Sequence, residues 1–172
     1  MSDRLLYLSR HDVKALAIEP AEAREAVLRA FRDHAAGLNS SLPKSMLALG
    51  PGHGFQAMTA ASRVEGVATM KWVWMAPAGL AGRAPSVSAL ICVSDYTSGR
   101  PLAVLDGDEI TLIRTAALSA AAASLMAPAE PRTIGFVGCG LQAHAHLAAF
   151  LSLYPRLSTV LALSRSRASA ER

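Results

Sequence analysis

Cysteine is almost missing from this sequence. The 172 residues include only Cys92 and Cys139, both in apolar surroundings and without the CxxC spacing typical of many metal and redox sites. No basic segment followed by an apolar one precedes Asp3 and Arg4, as a secretory signal would require. We therefore expect reduced thiols, no disulfide framework and a cytoplasmic protein.

Long apolar runs and basic clusters with interleaved aromatics are missing as well. The longest apolar run, residues 116–127, ends at Pro128 and falls short of the roughly 20 residues that span a bilayer. Aromatic residues make up only 5% of the chain and do not accompany its arginines, which argues against a nucleic-acid surface. We expect neither a membrane anchor nor a nucleic-acid partner.

The histidine, cysteine and acidic residues lack the spacing of a metal site. His144 and His146 flank a single residue in a predicted helix, so their side chains point about 200° apart and cannot share one ion. Asp106, Asp108 and Glu109 suggest a carboxylate cluster, but Asp108 is well placed to cap the helix that follows. We expect no metal.

Acidic residues are scarce towards the end of the chain. From Arg132 onward the only one is Glu171, against five arginines. Such a bias attracts phosphate groups, and a phosphate-bearing small molecule explains it more economically than a polymer does. The whole chain is 52% hydrophobic and 17% charged, which favours a compact protein of helices packed on a sheet.

The residues before Gly37 predict one strand and two helices. The strand covers residues 5–8, and the spacing of Ser9 and Asp12 predicts a capped helix over 10–17. Pro20 opens a second helix, which Gly37 ends. Four apolar residues at helical spacing predict that this helix is amphipathic and half-buried: Ala26, Val27, Ala30 and Phe31.

The middle of the chain predicts a sheet followed by a long helix. Short β-like runs alternate with turn residues, which predicts a largely antiparallel sheet. Asp106-Gly107 then turns the chain into an alanine-rich helix from about 109 to 127, and Pro128 and Pro131 mark a linker. The β-like runs cover 45–49, 55–60, 67–73, 87–94 and 102–105.

These signals predict an α/β protein of two domains. An α+β domain for substrate binding and dimerisation, with a largely antiparallel sheet, would cover residues 1–130. The start of a Rossmann-type parallel α/β domain would cover residues 131–172, where one β-α-β unit is visible in the sequence.

A glycine turn joins the strand 133–137 to a helix over 141–153, and a second strand follows at 159–163. Gly138 allows the tight turn, Gly140 lets the backbone approach phosphates, and small Ala143 lets the helix lie close to the strand. The helix N-terminus supplies N–H donors and partial positive charge to a pyrophosphate. We expect a dinucleotide site that also includes Cys139, Leu141 and Gln142; an ordinary strand-to-helix turn is the alternative.

The end of the second strand distinguishes the two nicotinamide cofactors. An acid there binds the ribose 2′-hydroxyl of NAD, whereas an arginine accommodates the 2′-phosphate of NADP. Here the chain has Ser164, Arg165 and Ser166 and no acid. We expect NAD(P)(H), with a preference for NADP(H); the alternative is that Ser164 or Ser166 only caps the next helix.

Three cations before residue 130 lie in apolar settings. Lys44 follows Pro43, Lys71 interrupts a predicted strand, and Arg114 interrupts the long apolar helix. Charged side chains are rarely buried without an anionic partner. Taken singly, each is also explained by a side chain that reaches solvent or pairs with a nearby acid.

Four motifs together resemble the ornithine cyclodeaminase/mu-crystallin family. In chain order they are Lys71 in its MKWV setting, PLAVLDG at 101–107, RTAALSA at 114–120 and GCGLQA at 138–143. The resemblance extends from about residue 5 to the end of the chain. It implies an NAD(P)-dependent oxidoreductase or cyclodeaminase that acts at Cα of a small amino or imino acid, as alanine dehydrogenases, ornithine cyclodeaminases and ketimine reductases do.

The resemblance also implies roles for single residues. Arg114 and Lys71 would bind the substrate carboxylate or activate its reacting end, which makes Lys71 the candidate catalytic residue. Lys44 matches a position that is usually arginine, and lysine would hold a carboxylate as a point charge. Ser86 and Thr115 would lie beside the cofactor.

Members of this family run to roughly twice this length, the size of two complete domains. Their catalytic aspartate lies in the later half of the nucleotide domain, which this sequence does not contain. We therefore keep three alternatives beside an active homodimeric enzyme: a fragment of a longer enzyme, a truncated product without turnover, and a protein that binds NADP(H) and small carboxylates without catalysis.

Overall fold

The computed structural model describes residues 4–77 and 86–171 of the chain. In chain order its elements are β1 (Leu6–Leu8), α1 (Arg10–Ala15), α2 (Pro20–Ala35), β2 (Asn39–Ser41), β3 (Ser45–Gly50), β4 (His53–Ser62), β5 (Val67–Met75), β6 (Val87–Asp95), β7 (Pro101–Asp106), α3 (Asp108–Met126), β8 (Thr133–Val137), α4 (Leu141–Leu153), β9 (Thr159–Leu163) and α5 (Arg167–Ala170).

These elements form two compact units. The first consists of described residues within 1–17 and 30–111, and the second of described residues within 18–29 and 112–172. Compact packing and the limits of independent domains are different properties, so the domain boundary near residue 130 stays a prediction.

A seven-stranded sheet makes up most of the first unit. Its order is β1-β7-β6-β5-β4-β2, and β3 also pairs with β4. The pairings are antiparallel except for the parallel pair of β1 and β7. The predicted, largely antiparallel sheet is thus confirmed. The Asn-Ser-Ser sequence of β2 carries no strand signal, and β2 forms because its residues pair with β4.

One face of this sheet is covered. Val73, Ala89 and Ile91 are each less than a tenth exposed, and Val13 of α1 is also buried. Lys71 lies directly opposite Ile91 across β5 and β6 and two residues from Val73, so it belongs to the covered face.

The predicted caps of the first two helices are confirmed. The Asp12 carboxylate accepts from the Ser9 N–H at 2.8 Å, and the Ser9 hydroxyl accepts from the Asp12 N–H at 3.3 Å, which is a capping box. Gly37 ends α2 with φ of +71°, and its N–H and that of Leu38 donate to carbonyls of the last helical turns.

The predicted buried face of α2 is only partly correct. Ala23 is buried and Val27 is half-buried, but Ala26 and Ala30 are exposed and Phe31 is 57% exposed. Helical spacing identifies side chains that share a face, but it does not determine whether other residues lie against that face.

The predicted cap of α3 by Asp108 is wrong. Asp108 is the first residue of the helix, and its carboxylate accepts from the Ala89 N–H at 2.7 Å. The Asp106 carboxylate accepts instead from the Asp108 N–H at 3.0 Å. Asp108 therefore ties the start of α3 to β6, a tertiary contact that local spacing cannot indicate.

The second unit contains the parallel pair of β8 and β9 with α4 between them. The predicted bounds of these three elements agree with the structure. Ala116 and Ala120 of α3 form a small core with Ala149 of α4. The fold class is confirmed: a mixed α/β protein with a mainly antiparallel sheet, followed by a parallel, Rossmann-type β-α-β unit.

Candidate functional site

The glycine turn between β8 and α4 has a conformation that requires glycine at its first position. Gly138 has φ of +93°, a region that residues with a side chain rarely adopt. Its N–H donates to the Leu163 carbonyl at 2.7 Å, which ties the turn to the end of β9. The turn and the end of the second strand are therefore held together as one structure.

Gly140 is a glycine for a different reason. It is the N-cap of α4 with φ of −90°, and an added Cβ would meet nothing within 4 Å. Neither backbone strain nor packing within the described residues requires glycine here. The missing side chain leaves space beside the helix N-terminus, as the approach of a ligand would need.

The first turn of α4 offers backbone donors to that space. No side chain in the described part of the chain makes a capping hydrogen bond at Gly140. Among the described residues, the N–H groups of Leu141 and Gln142 donate to no carbonyl, as expected for the first turn of a helix. Free donors and the helix dipole together favour an anion at this position.

A pocket of about 650 Å³ lies against the turn. It brings the turn together with Ser164, which is half-buried, and with Arg165, which is exposed. Ser166, Leu141 and Gln142 are not among its lining residues, so this part of the predicted cofactor set is adjacent to the pocket but not on its wall. The lining residues are Val137, Gly138, Cys139, Gly140, Leu163, Ser164 and Arg165.

The two arginines after β9 differ in their contacts. Arg167 pairs with Glu171 at 2.6 Å, a helical i,i+4 ion pair. Arg165 has no acidic partner within the described part of the chain and lines the pocket. Ser166 stands directly before α5, and its carbonyl accepts from the Ala170 N–H at 3.2 Å. The alternative that a serine begins this helix thus concerns Ser166, whereas Ser164 faces the pocket.

Lys71 is held by a residue that the sequence did not indicate. It is half-buried on β5, and its Nζ donates to the Thr111 hydroxyl at 2.6 Å. That hydroxyl in turn donates to the Gly107 carbonyl. Thr111 lies 40 residues from Lys71 in the sequence. The only sequence signal near it is the polar segment DGDEIT at 106–111, which ends at Thr111.

The other predicted residues lie as follows. Lys44 is exposed just before β3, and Ser86 is exposed just before β6, with its carbonyl accepting from the Ala76 N–H at 3.0 Å. Thr115 is half-buried on α3. Lys44, Lys71 and Ser86 belong to the first unit, and Arg114 and Thr115 belong to the second. Their roles stay predictions.

Arg114 is more than a third exposed on α3. Protein atoms around its guanidinium nevertheless desolvate the charge and lower the pKa of Arg114 from its ordinary value. A guanidinium remains protonated in proteins, so Arg114 presents a partly desolvated positive charge. Such a charge binds a carboxylate more strongly than a fully hydrated one does.

His146 is engaged at both ring nitrogens. Nδ1 lies 2.6 Å from the Gln142 carbonyl and Nε2 lies 2.9 Å from the Ser119 hydroxyl. Residues 4–77 and 86–171 contain no group of three histidine, cysteine or acidic side chains arranged to hold a metal ion. Cys92 and Cys139 are free thiols.

Helix α3 is long and apolar enough to cross a membrane by length and composition alone. A single helix of this kind is weak evidence for a membrane span, and 22% of its apolar stretch is buried. Four of its alanines are at most 2% exposed. The four are Ala116, Ala117, Ala120 and Ala121.

The second face of the seven-stranded sheet carries exposed apolar side chains. Trp72 lies opposite Leu90 and stacks on Phe55 with ring centroids 5.1 Å apart. Trp72, Leu90 and Met70 are 37%, 41% and 40% exposed. The described residues therefore leave this apolar face partly uncovered.

Comparison with known proteins identifies the family. The ornithine cyclodeaminase/mu-crystallin family model matches residues 5–172, so the chain belongs to this family. Alanine dehydrogenase of Archaeoglobus fulgidus is 36% identical over 149 residues, which are 87% of this chain and 45% of that protein. The chain thus spans about half the length of the curated relatives it matches.

Solved structures agree in fold. An archaeal alanine dehydrogenase, described as a dimer with bound NAD, superposes with a TM-score of 0.89 at 33% identity over 97% of this chain and 51% of that one. The Delta(1)-pyrroline-2-carboxylate reductase of Thermococcus litoralis, in complex with NADH and L-proline, gives 0.91 at 27% identity over the same shares.

Proposed function

We propose that this member of the ornithine cyclodeaminase/mu-crystallin family binds a nicotinamide cofactor at its glycine turn and takes part in oxidation or reduction at Cα of a small amino or imino acid. Gly140 is the observation that supports cofactor binding. It lies at a helix N-terminus without a side-chain cap, and neither its backbone conformation nor packing among the described residues requires glycine there. The NAD and NADH complexes of similar proteins support the same assignment.

NADP(H) is the cofactor that we favour. The pocket wall at the end of β9 is made by Ser164 and Arg165, with no acid to bind a ribose 2′-hydroxyl. Arg165 is also without an acidic partner among the described residues, so it is available to a 2′-phosphate. Ser164 adds a hydroxyl from the half-buried side of the pocket.

A charge placed at Gly140 tests the cofactor site. Aspartate is a good N-cap, so Gly140→Asp should preserve α4 while its carboxylate repels the pyrophosphate. We expect NADPH and NADH affinity, measured by calorimetric titration, to fall by at least about tenfold. The free energy of unfolding should stay within about 0.5 kcal/mol of the wild type.

The matched control is Gly135→Asp, which adds the same charge to an exposed position on β8 where a new Cβ also meets nothing within 4 Å. It should bind both cofactors like the wild type. Wild-type protein that binds neither cofactor would refute the proposal, and tighter binding of NADH than of NADPH would refute only the preference for NADP(H).

The chemistry divides between the cofactor and the protein. When bound, the nicotinamide supplies or accepts the hydride exchanged with Cα. Lys71 presents an ammonium whose position is fixed by Thr111, because the single Thr111 proton goes to Gly107 and its oxygen can then only accept from Nζ. We assign Lys71 to the reacting end or carboxylate of the substrate, and Arg114 and Lys44 to its carboxylate.

A substrate panel tests this half of the proposal. The protein is incubated with small amino acids and NAD(P)⁺, or with oxo and imino acids and NAD(P)H, and reduced cofactor is followed by absorbance. Proline and ammonia are assayed in parallel, since a cyclodeaminase returns the hydride and causes no net absorbance change. Arg114→Ala should lower kcat/KM by at least about tenfold, and unchanged kinetics would remove Arg114 from the site.

The exposed sheet face supports a homodimer. Trp72, Leu90 and Met70 lie on strands of the first unit, and a second copy of this face would cover them. Trp72→Glu should shift the protein to a monomer in sedimentation equilibrium.

We also expect the protein to work in the cytoplasm. Cofactor binding without turnover on any member of the panel would favour the binding-protein alternative.

A further inference from the structure

We propose that Ser119 and His146 form a bridge that positions the glycine turn for cofactor binding, an inference that rests on the proposed cofactor role of that turn. Ser119 lies on α3 and His146 on α4, and both are half-buried. Ser119 Oγ and His146 Nε2 are 2.9 Å apart, and His146 Nδ1 is 2.6 Å from the Gln142 carbonyl.

The partners of the ring determine where its proton lies. A carbonyl only accepts hydrogen bonds, so Nδ1 of His146 must carry a proton. In the neutral ring Nε2 is then unprotonated and accepts from the Ser119 hydroxyl. In the charged ring Nε2 donates to Ser119, whose proton can turn to the Thr115 carbonyl 3.3 Å away. The bridge is therefore satisfied in both protonation states of His146.

The packing around the bridge explains why it is needed. Ala116 and Ala120 of α3 pack against Ala149 of α4. Such short side chains determine how close the two helices lie, but they do little to prevent one helix from sliding along the other. A second directional contact runs from the Tyr154 hydroxyl to the Ala123 carbonyl at 2.8 Å. Tyr154 directly follows α4, eight residues or about 12 Å beyond His146. His146 is the contact near the turn.

The bridge reaches the turn through Gln142. Its carbonyl accepts from His146, and its own N–H is one of the two free donors of the first turn of α4. Fixing this residue against α3 fixes the direction in which the donors point. Loss of the bridge should therefore weaken the cofactor complex while the packed alanines preserve the fold.

The experiment compares cofactor binding in a set of variants of the full chain. Ser119→Ala and His146→Leu should each weaken NADPH binding by about three- to tenfold, the range expected for loss of one hydrogen bond. Ser119→Thr keeps the hydroxyl and should bind within about twofold of the wild type. The double variant Ser119→Ala, His146→Leu should bind no more weakly than the weaker single variant, because both remove the same bridge.

His144→Leu is the matched control, since His144 is exposed on the same helix and belongs to no part of the bridge. It should leave NADPH binding unchanged. A nitrogen-15 NMR spectrum of wild-type histidines supplies a second measurement, which does not depend on the variants folding. It should show His146 protonated at Nδ1 in its neutral form.

The outcomes separate the two proposals. Wild-type protein that binds no nicotinamide cofactor overturns the proposed function, and the bridge with it. Wild-type protein that binds NADPH, with Ser119→Ala and His146→Leu binding equally well, overturns the bridge alone. A neutral His146 protonated at Nε2 also overturns the bridge, whatever the affinities.

Discussion

The seven-stranded sheet and the β8–β9 pair differ in how they are covered. Val73 and Ile91 in the centre of the larger sheet are 6% and 9% exposed, whereas all five residues of β9 are exposed and Leu161 is 60% exposed. The central strands of the larger sheet are thus buried on one face. In the second unit a small core lies between α3 and α4, so we expect this packing, together with the bond from the Gly138 N–H to the Leu163 carbonyl, to position the glycine turn.

Gly107 and Gly140 differ in the space around them, as the two sheets differ in how they are covered. A Cβ at Gly107 would lie 2.8 Å from the Ala89 Cβ, so packing between α3 and β6 requires glycine there. A Cβ at Gly140 would meet nothing within 4 Å. One glycine is needed by the protein, and we attribute the other to the ligand.

The largest expected effect contrasts the cores of the two regions. Val73→Ala removes two buried methyl groups and should lower the free energy of unfolding by about 2 kcal/mol. Val160→Ala makes the same change on β9, where Val160 is 47% exposed, and should cost less than about 0.5 kcal/mol. Denaturant unfolding measures both. Equal losses in the free energy of unfolding would mean that β9 is covered in solution, and would contradict the difference between the two sheets.

A smaller effect should appear in cofactor choice. Arg165→Ala removes the cation of the pocket wall and should weaken NADPH binding by about tenfold while changing NADH binding by less than about twofold. Arg167→Ala removes the neighbouring cation, which already pairs with Glu171, and should alter neither. Paired titrations measure the ratio. Equal effects of the two substitutions would show general attraction by positive charge and no 2′-phosphate site.

The smallest effect concerns the capping box at the edge of the first unit. The Ser9 hydroxyl and then the Ser9 N–H hold the pKa of Asp12 below its ordinary value of 3.8. A carboxyl with a lowered folded pKa contributes stability that is present above its unfolded pKa and is lost as the pH falls through its folded pKa. Asp12→Asn should therefore lose less stability than the wild type between pH of about 5 and pH of about 2.

Thermal unfolding at several pH values measures this difference, with cofactor binding at neutral pH as the control. Parallel pH profiles of the two proteins would contradict the role of Asp12. A change in cofactor affinity would contradict the separation between the edge of the first unit and the glycine turn.

Local signals in the sequence predicted local structure well. The bounds of β8, α4 and β9 follow from an apolar run, a glycine turn and a helical period within about 30 residues. The Ser9 capping box and the Gly37 stop are likewise properties of neighbouring residues.

Long-range contacts are what the sequence could not supply. The parallel pairing of β1 with β7, the strand β2, and the contacts of Asp108 with Ala89 and of Lys71 with Thr111 all join distant residues. No periodicity or motif encodes such pairs, because each depends on the register of the completed sheet. For the same reason the exposure of Phe31 could not be read from its helical spacing.

The most direct test of the central claim follows the backbone amides of the glycine turn by NMR during an NADPH titration. If this turn holds the pyrophosphate, the N–H signals of Cys139 to Gln142 should show the largest shifts, with those of Leu141 and Gln142 moving towards the positions of hydrogen-bonded amides. The Gly138 N–H, already bonded to Leu163, should move less. Saturable NADPH binding that leaves the signals of residues 139–142 unchanged would contradict the account.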